Sequence, residues 1–390
     1  MGGMRFIDWA IRYQVDPSRR EVTTTLAGLF RSRSVYREGL GCLIVHGALP
    51  SVSSLPISPV APRIVTPPIV APSSERLKAA FDRIFARRDL GTKAIVVMHE
   101  GQVVAERYAA GYDADTPLRG WSVAKSVVSA LIGILVREGR LRIDQPAPVP
   151  AWHDPQDPRR AITIDNLLRM TSGLAIEETL SGFDPVSRML MVERDMAGFA
   201  ERARLEAAPG SRWRYTSGNT LILCRIIRDS VGGKPEDVVR FARRELFDPL
   251  GMASVTLEFD AAGTPTDAVF ATARDWALFG QLYLDDGVAG KRRILPTDWV
   301  AYSTTPTLGR GYGAGFWLGG PTWRPDWPMP SDAFYAAGHL HQKLLIVPSR
   351  RLVIARFGVT HASDDGFGYL AEEVLGALQE SEQRNAARGR

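Results

Sequence analysis

The strongest feature of the hydrophobic pattern lies at residues 121–136, where apolar and small side chains run all the way round a helix. With no polar stripe, the segment is predicted as a buried helix and not an amphipathic surface one. Upstream, Ser73 or Ser74 is placed to cap a helix over 75–88 whose apolar face is Leu77, Ala80, Phe81, Ile84 and Phe85. Residues 93–98 and 102–108 flank the turn at Glu100-Gly101 and predict a hairpin. From 144 to about 290 the texture is helices and long loops. Helical patterns cover 164–170, stopping at Gly173, then 219–231, 236–247 and 272–285. Strand-like texture returns near 312–316, 343–347 and 352–357, followed by a last helix over 367–379.

Sheet-forming segments at both ends thus bracket a helical middle. The predicted fold class is α/β (α+β), an antiparallel sheet flanked by helices plus an inserted, mostly helical domain. Residues 73–143 and 291–390 form the divided α/β domain and 144–290 the helical one. Residues 1 to about 50 have short apolar clusters, including Gly41-Cys42-Leu43-Ile44-Val45, but no helical or strand period. They read as an extension packed on the body. Prolines at 56, 59, 62, 67, 68 and 72 predict an extended connector, so residues 1–72 form an N-terminal extension and linker.

Composition changes this picture little. With 45% hydrophobic and 23% charged residues the chain reads as an ordinary globular protein, and its net charge of +5 comes from scattered Lys and Arg. Without a basic stripe, a nucleic-acid partner is not expected. Cys42 and Cys224 are too few and too far apart for a disulfide framework or a metal-ligand spacing. The first 16 residues carry Arg5, Asp8, Trp9 and Arg12 in place of an apolar signal-peptide core. No stretch reaches the roughly 18 apolar residues of a membrane span, and the expected location is cytoplasmic.

The candidate chemistry begins with Lys125, which does not belong in a buried helix on packing grounds. Burying an ammonium is costly unless it is paired or loses its proton, and Ser122 lies one turn away on the same face. A hydroxyl beside a lysine of depressed pKa suits a nucleophilic hydrolase. Alternatively, Lys125 snorkels to solvent and Ser122 merely caps. Tyr215 sits on a Pro209-Gly210-led loop ahead of an apolar helix, with Ser217 and Asn219 following. A phenol acts as a base only where cations such as Lys125 stabilise its phenolate; the competing reading packs Tyr215 against Trp213.

The third segment is Tyr335-Ala336-Ala337-Gly338-His339-Leu340-His341-Gln342-Lys343. Gly338 would let a substrate approach backbone N–H groups, as an oxyanion hole requires. His339 and His341 alternate onto one face of a predicted strand, but no third ligand stands nearby and HExxH is absent, so neither a metal nor a cofactor is expected. Gly120-Trp121-Ser122-Val123-Ala124 is a near miss to the G-x-S-x-G of α/β-hydrolases, lacking the last glycine.

Taken in order, these three segments resemble the serine β-lactamase and penicillin-recognising superfamily, especially class C β-lactamases, family VIII carboxylesterases and 6-aminohexanoate-dimer hydrolases. Residues 162–174, with Leu167-Leu168-Arg169-Met170-Thr171-Ser172-Gly173-Leu174, look like the family's LLxxTSGL signature. Residues 246–252 match its LFxPLGM. The likeness spans about 75–378. It implies the β-lactamase-like fold, with Ser122 as nucleophile, Lys125 as its activating lysine and Tyr215 as the motif tyrosine. It further implies backbone N–H groups of Ser122 and His339 as oxyanion hole, and Ser217, Asn219, Gly338 and His341 around the substrate.

Two departures bear on specificity. Ser217 stands where many members carry Asn, which looks most like the aminohexanoate-hydrolase branch. The family's Lys/His-Thr/Ser-Gly motif falls on Ala336-Ala337-Gly338, which cannot bind a substrate carboxylate; His339, His341, Lys343 and Arg310 stand as replacement cations. His341 replaces a glycine of related chains and is expected to narrow the pocket. The expected partner is a small ester or amide, with a homodimer left open. The alternative activities are β-lactamase or D-amino-acid peptidase, and the alternative class is a non-catalytic ligand-binding scaffold.

Overall fold

A computed structural model describes residues 10–46, 54–55, 70–319 and 329–388. A six-stranded antiparallel sheet organises it, in the order Trp317–Leu318, Phe334–Gly338, Gln342–Val347, Leu352–Gly358, Thr92–His99, Gln102–Tyr108. Strands from near both ends of the chain therefore meet at its centre, where Val353 and Ala355 pair with Met98 and Val96.

Period-2 alternation splits the central strands between two cores. Ala94, Val96 and Met98 face the larger core with helix Ala124–Arg137, whereas Ile95 and Val97 face helices Glu75–Ala86 and Phe367–Arg388. Helix Glu75–Ala86 starts as expected, its Ser74 hydroxyl accepting from Leu77 N–H. Buried Arg274 on helix Ala273–Leu284 donates to Glu106 on strand Gln102–Tyr108, tying helix to sheet by a shielded ion pair.

The middle of the chain supplies short helices and a three-stranded sheet, Leu118–Arg119, Pro265–Ala271 and Thr256–Phe259. Thr163 opens helix Ile164–Leu168 with a capping box to Asn166. That helix ends at Leu168, before the expected Gly173, because Met170 turns into the left-handed region at φ 61°. The segment over 236–247 divides into an α-helix, Pro235–Ala242, and a π-turn, Arg243–Phe247.

The N-terminal extension departs most from expectation. It is a four-stranded antiparallel sheet, Ile11–Asp16, Glu21–Leu26, Phe30–Arg37 and Gly41–Ile44. The missing period has a physical cause: Tyr13, Val15, Val22 and Phe30 are exposed on one face, so its outer strands stay apolar without being buried, while Ser34, Cys42 and Ile44 further along the same face are half-buried. The other face meets the body, where buried Arg37 donates to the Phe259 carbonyl and Leu40 N–H and C=O flank Arg37 and Phe259. The Pro-rich connector lies almost wholly outside the described residues. Among the described residues no helix is long and apolar enough to cross a membrane.

Candidate active site

Ser122 stands on a cramped turn. After strand Leu118–Arg119 the chain passes Gly120, where an added Cβ would lie 2.5 Å from the Trp276 ring. Trp121 then adopts φ +50°, unusual for a residue with a side chain. Residues Trp121–Val123 form a 3-10 turn and the α-helix runs Ala124–Arg137, so Ser122 precedes the α-helix and Lys125 occupies its first turn.

Lys125 is buried, which removes the snorkelling alternative. Its Nζ donates to Ser122 Oγ, Ser217 Oγ and Asp267 Oδ2, each at 2.9 Å. An ammonium has three protons and all three are spent here. Burial works against its charge, but Asp267, Tyr215 and Glu178 outweigh that and hold its pKa above the usual lysine value. The expectation of a depressed lysine is thus corrected: Lys125 is a fixed cation. Asp267 mirrors it, its carboxyl kept low by Lys125 despite burial.

Tyr215 arrives from the loop before helix Ser217–Val231, whose N-cap Thr216 accepts from Gly218 N–H. The cap fixes the chain direction, so that Ser217 turns its hydroxyl toward Lys125. The Tyr215 ring stacks on Trp317 at 5.4 Å, meets Tyr312 edge-on at 5.8 Å and has Lys125 Nζ 5.1 Å from its centroid. Burial raises its phenol pKa; Lys125 and a hydrogen bond from Ser122 pull the other way. The competing partner Trp213 packs on Tyr312 and Trp317, one ring further out.

The far wall is strand Phe334–Gly338 followed by the turn His339–His341. A Cβ on Gly338 would sit 2.1 Å from the Gly120 carbonyl oxygen, so the turn that carries Ser122 itself requires this glycine. His339 meets Trp121 edge-on at 5.2 Å and lines the same cavity as Ser122. Burial, with His361, His341 and Arg119 nearby, lowers its pKa.

Several expectations change here. His339 and His341 are not on one strand face, since Leu340 and His341 take φ +58° and +65°. His341 binds Asp365 at 2.9 Å and is not on the cavity wall, so it does not narrow the pocket. Lys343 is 3.8 Å from the same carboxylate, and Arg310 lines a different cavity, so neither replaces the missing cation. Asn219 is completely buried and accepts from Ser172 Oγ at 2.7 Å, so it braces the TSG segment. Among the described residues no cluster of His, Cys, Asp and Glu could hold a metal ion.

Two residues were not anticipated. Asp267 lies on strand Pro265–Ala271, and a charged residue in the run Thr264-Pro265-Thr266-Asp267-Ala268-Val269 was its available signal. Glu178, whose carboxyl is raised by burial, accepts from the Ser217 N–H. Its loop carried no periodic signal. A cavity of about 1190 Å³ opens over this group, lined by Ser122, Ser217, Asp267, Glu178 and His339.

The β-lactamase family model matches residues 77–377. The chain belongs to the β-lactamase family. It is 27% identical over 225 residues to a 6-aminohexanoate-dimer hydrolase of Paenarthrobacter ureafaciens, covering 54% of this chain and 56% of the relative. The match thus spans little more than half of that enzyme. A penicillin-binding protein 4 of Amycolatopsis lactamdurans is 28% identical over 344 residues, with 76% and 84% covered. A solved family VIII carboxylesterase has the same fold, with a TM-score of 0.60 at 16% identity, covering 79% of this chain and 98% of the other. The chain thus has the mixed α/β architecture of the β-lactamase family, a family of serine hydrolases.

Proposed function

We propose that this member of the β-lactamase family cleaves an uncharged ester or amide through an acyl-enzyme on Ser122. The observation that carries the reading is Lys125 Nζ held at 2.9 Å from Ser122 Oγ, Ser217 Oγ and Asp267 Oδ2. With its protons spent, Lys125 favours negative charge on Tyr215 against the effect of burial, and the minor phenolate form of Tyr215 takes the Ser122 proton. Ser122 Oγ then attacks the carbonyl carbon, and the backbone N–H groups of Ser122 and His339 receive the oxyanion. Tyr215 returns the proton to the leaving group and next draws one from the water that releases the acyl group.

An uncharged substrate follows from the far wall. Ala336 and Ala337 carry no charge, Lys343 and His341 face Asp365, and Arg119 is paired with Glu258 at 3.0 Å. Ser122→Ala and Lys125→Ala are expected to abolish p-nitrophenyl acetate turnover while circular dichroism stays unchanged; unaltered turnover in Ser122→Ala removes the reading. The similarity to a penicillin-binding protein favours β-lactam or D-amino-acid peptide chemistry as the second reading. Nitrocefin turnover rivalling that of the esters would select it.

A further inference from the structure

The cavity over Ser122 holds about 1190 Å³, beyond the roughly 300–1,000 Å³ typical of small-molecule sites. A short ester leaves most of it empty. Apolar atoms make most of its wall, and the two long sides come from different parts of the chain. One side is the N-terminal sheet, which lies outside the matched residues 77–377. There Ser34 pairs with Ile44 and Tyr36 with Cys42, so Ser34, Cys42 and Ile44 share one face. Ser34, Cys42 and Ile44 are half-buried at the cavity, with Leu43 and Val45 buried between and beyond them.

The facing side runs from Leu180 to Met196, with Leu190 and Met191 turned to the same space. The two sides are latched together. His46 Nε2 lies 2.7 Å from the Met191 carbonyl, and Arg194 Nη1 donates to the His46 carbonyl at 3.2 Å. Four charged groups of the wall are neutralised in pairs, Arg119 with Glu258 at 3.0 Å and Arg188 with Glu193 at 2.8 Å.

We propose that this latched apolar cleft binds a long aliphatic chain of the substrate, in its acyl or alcohol half, and that Cys42 and Ile44 set the preference for chain length. The proposal rests on Ser122, which lines the same cavity, being the nucleophile. Burying one methylene is worth up to about a fourfold gain, so even partial burial of the longer chain should let a decanoyl ester exceed an acetyl ester by about 100-fold in kcat/KM. In Ile44→Trp the ratio of long-chain to short-chain kcat/KM should fall by about tenfold.

The test measures kcat/KM for p-nitrophenyl esters from acetate to tetradecanoate, and for acetate esters of ethanol through decanol. A flat profile in both series, with turnover still dependent on Ser122, overturns the proposal and leaves the nucleophile in place. A second measurement does not need turnover. Cys42 is half-buried in the cavity wall and Cys224 is buried, so maleimide alkylation reports on Cys42. Decanoate is expected to slow that alkylation at least fivefold and acetate to leave it unchanged. Equal rates with both would overturn the proposal even if Ser122 proved inert.

Discussion

The corner around Ser122 and the cleft wall from Ser34 to His46 border one cavity but are built on opposite terms. At the corner side-chain hydrogen bonds fix the positions: three oxygens around Lys125 Nζ, Thr216 capping the helix that carries Ser217, and Ser172 held on buried Asn219. The wall is held by backbone pairing, one latch at His46 and apolar contact. Chemistry needs fixed residue types at fixed positions, because a misplaced donor costs the reaction directly. A binding wall needs bulk and low polarity, which many side chains supply. Substitutions at the corner should therefore act on kcat, and substitutions at the wall on the choice between substrates.

After the loss of turnover in Ser122→Ala and Lys125→Ala, the largest effect is expected from Tyr215→Phe, which removes the proton acceptor and leaves the rings on Trp317 and Tyr312 packed. kcat for p-nitrophenyl acetate should fall about 10²- to 10⁴-fold. A loss under threefold would assign the proton to another group.

Next is Asp267→Asn, which leaves the buried lysine without its counter-charge and should cost about 3–5 kcal/mol of unfolding free energy in a denaturant titration. The same variant tests the charge assignment. Burial raises Tyr215, so the phenolate fraction, and with it kcat/KM, increases as pH rises through neutrality. Asp267 disfavours loss of a proton from either Lys125 or Tyr215. Removing its charge should move the rising limb of the pH profile to lower pH, and a shift to higher pH would contradict the assignment.

A smaller effect is expected from Gly338→Ala, whose methyl would meet the Gly120 carbonyl. Pushing the strand off the nucleophile's turn should cost about 1–3 kcal/mol and reduce kcat, as read by thermal unfolding and steady-state kinetics. The smallest belongs to His341→Ala, with kcat/KM expected within about threefold of wild type, since that ring faces Asp365.

The same contrast explains what could be read from the residues alone. Ser122, Lys125 and Tyr215 stood out because each is awkward where it lies, a lysine in an apolar helix or a phenol on a glycine-led loop. The structure brings them together. The buried signature residues Ile164, Leu167, Leu246 and Phe247 were legible because packing dictates them. Asp267 was not, as nothing in a single strand says which cation it faces across 142 residues of chain. Nor did spacing reveal that Leu340 and His341 leave the strand at positive φ, which turned His341 away from the cavity. The N-terminal sheet was missed because its exposed face is apolar where a half-buried strand would carry polar residues.

The central claim is that Ser122 forms the covalent intermediate. Its most direct measurement is the intact mass of the protein after reaction with a fluorophosphonate, followed by peptide mapping. The account predicts one adduct, on Ser122, absent from Ser122→Ala. A folded protein with no adduct, or an adduct that persists in Ser122→Ala, would contradict it.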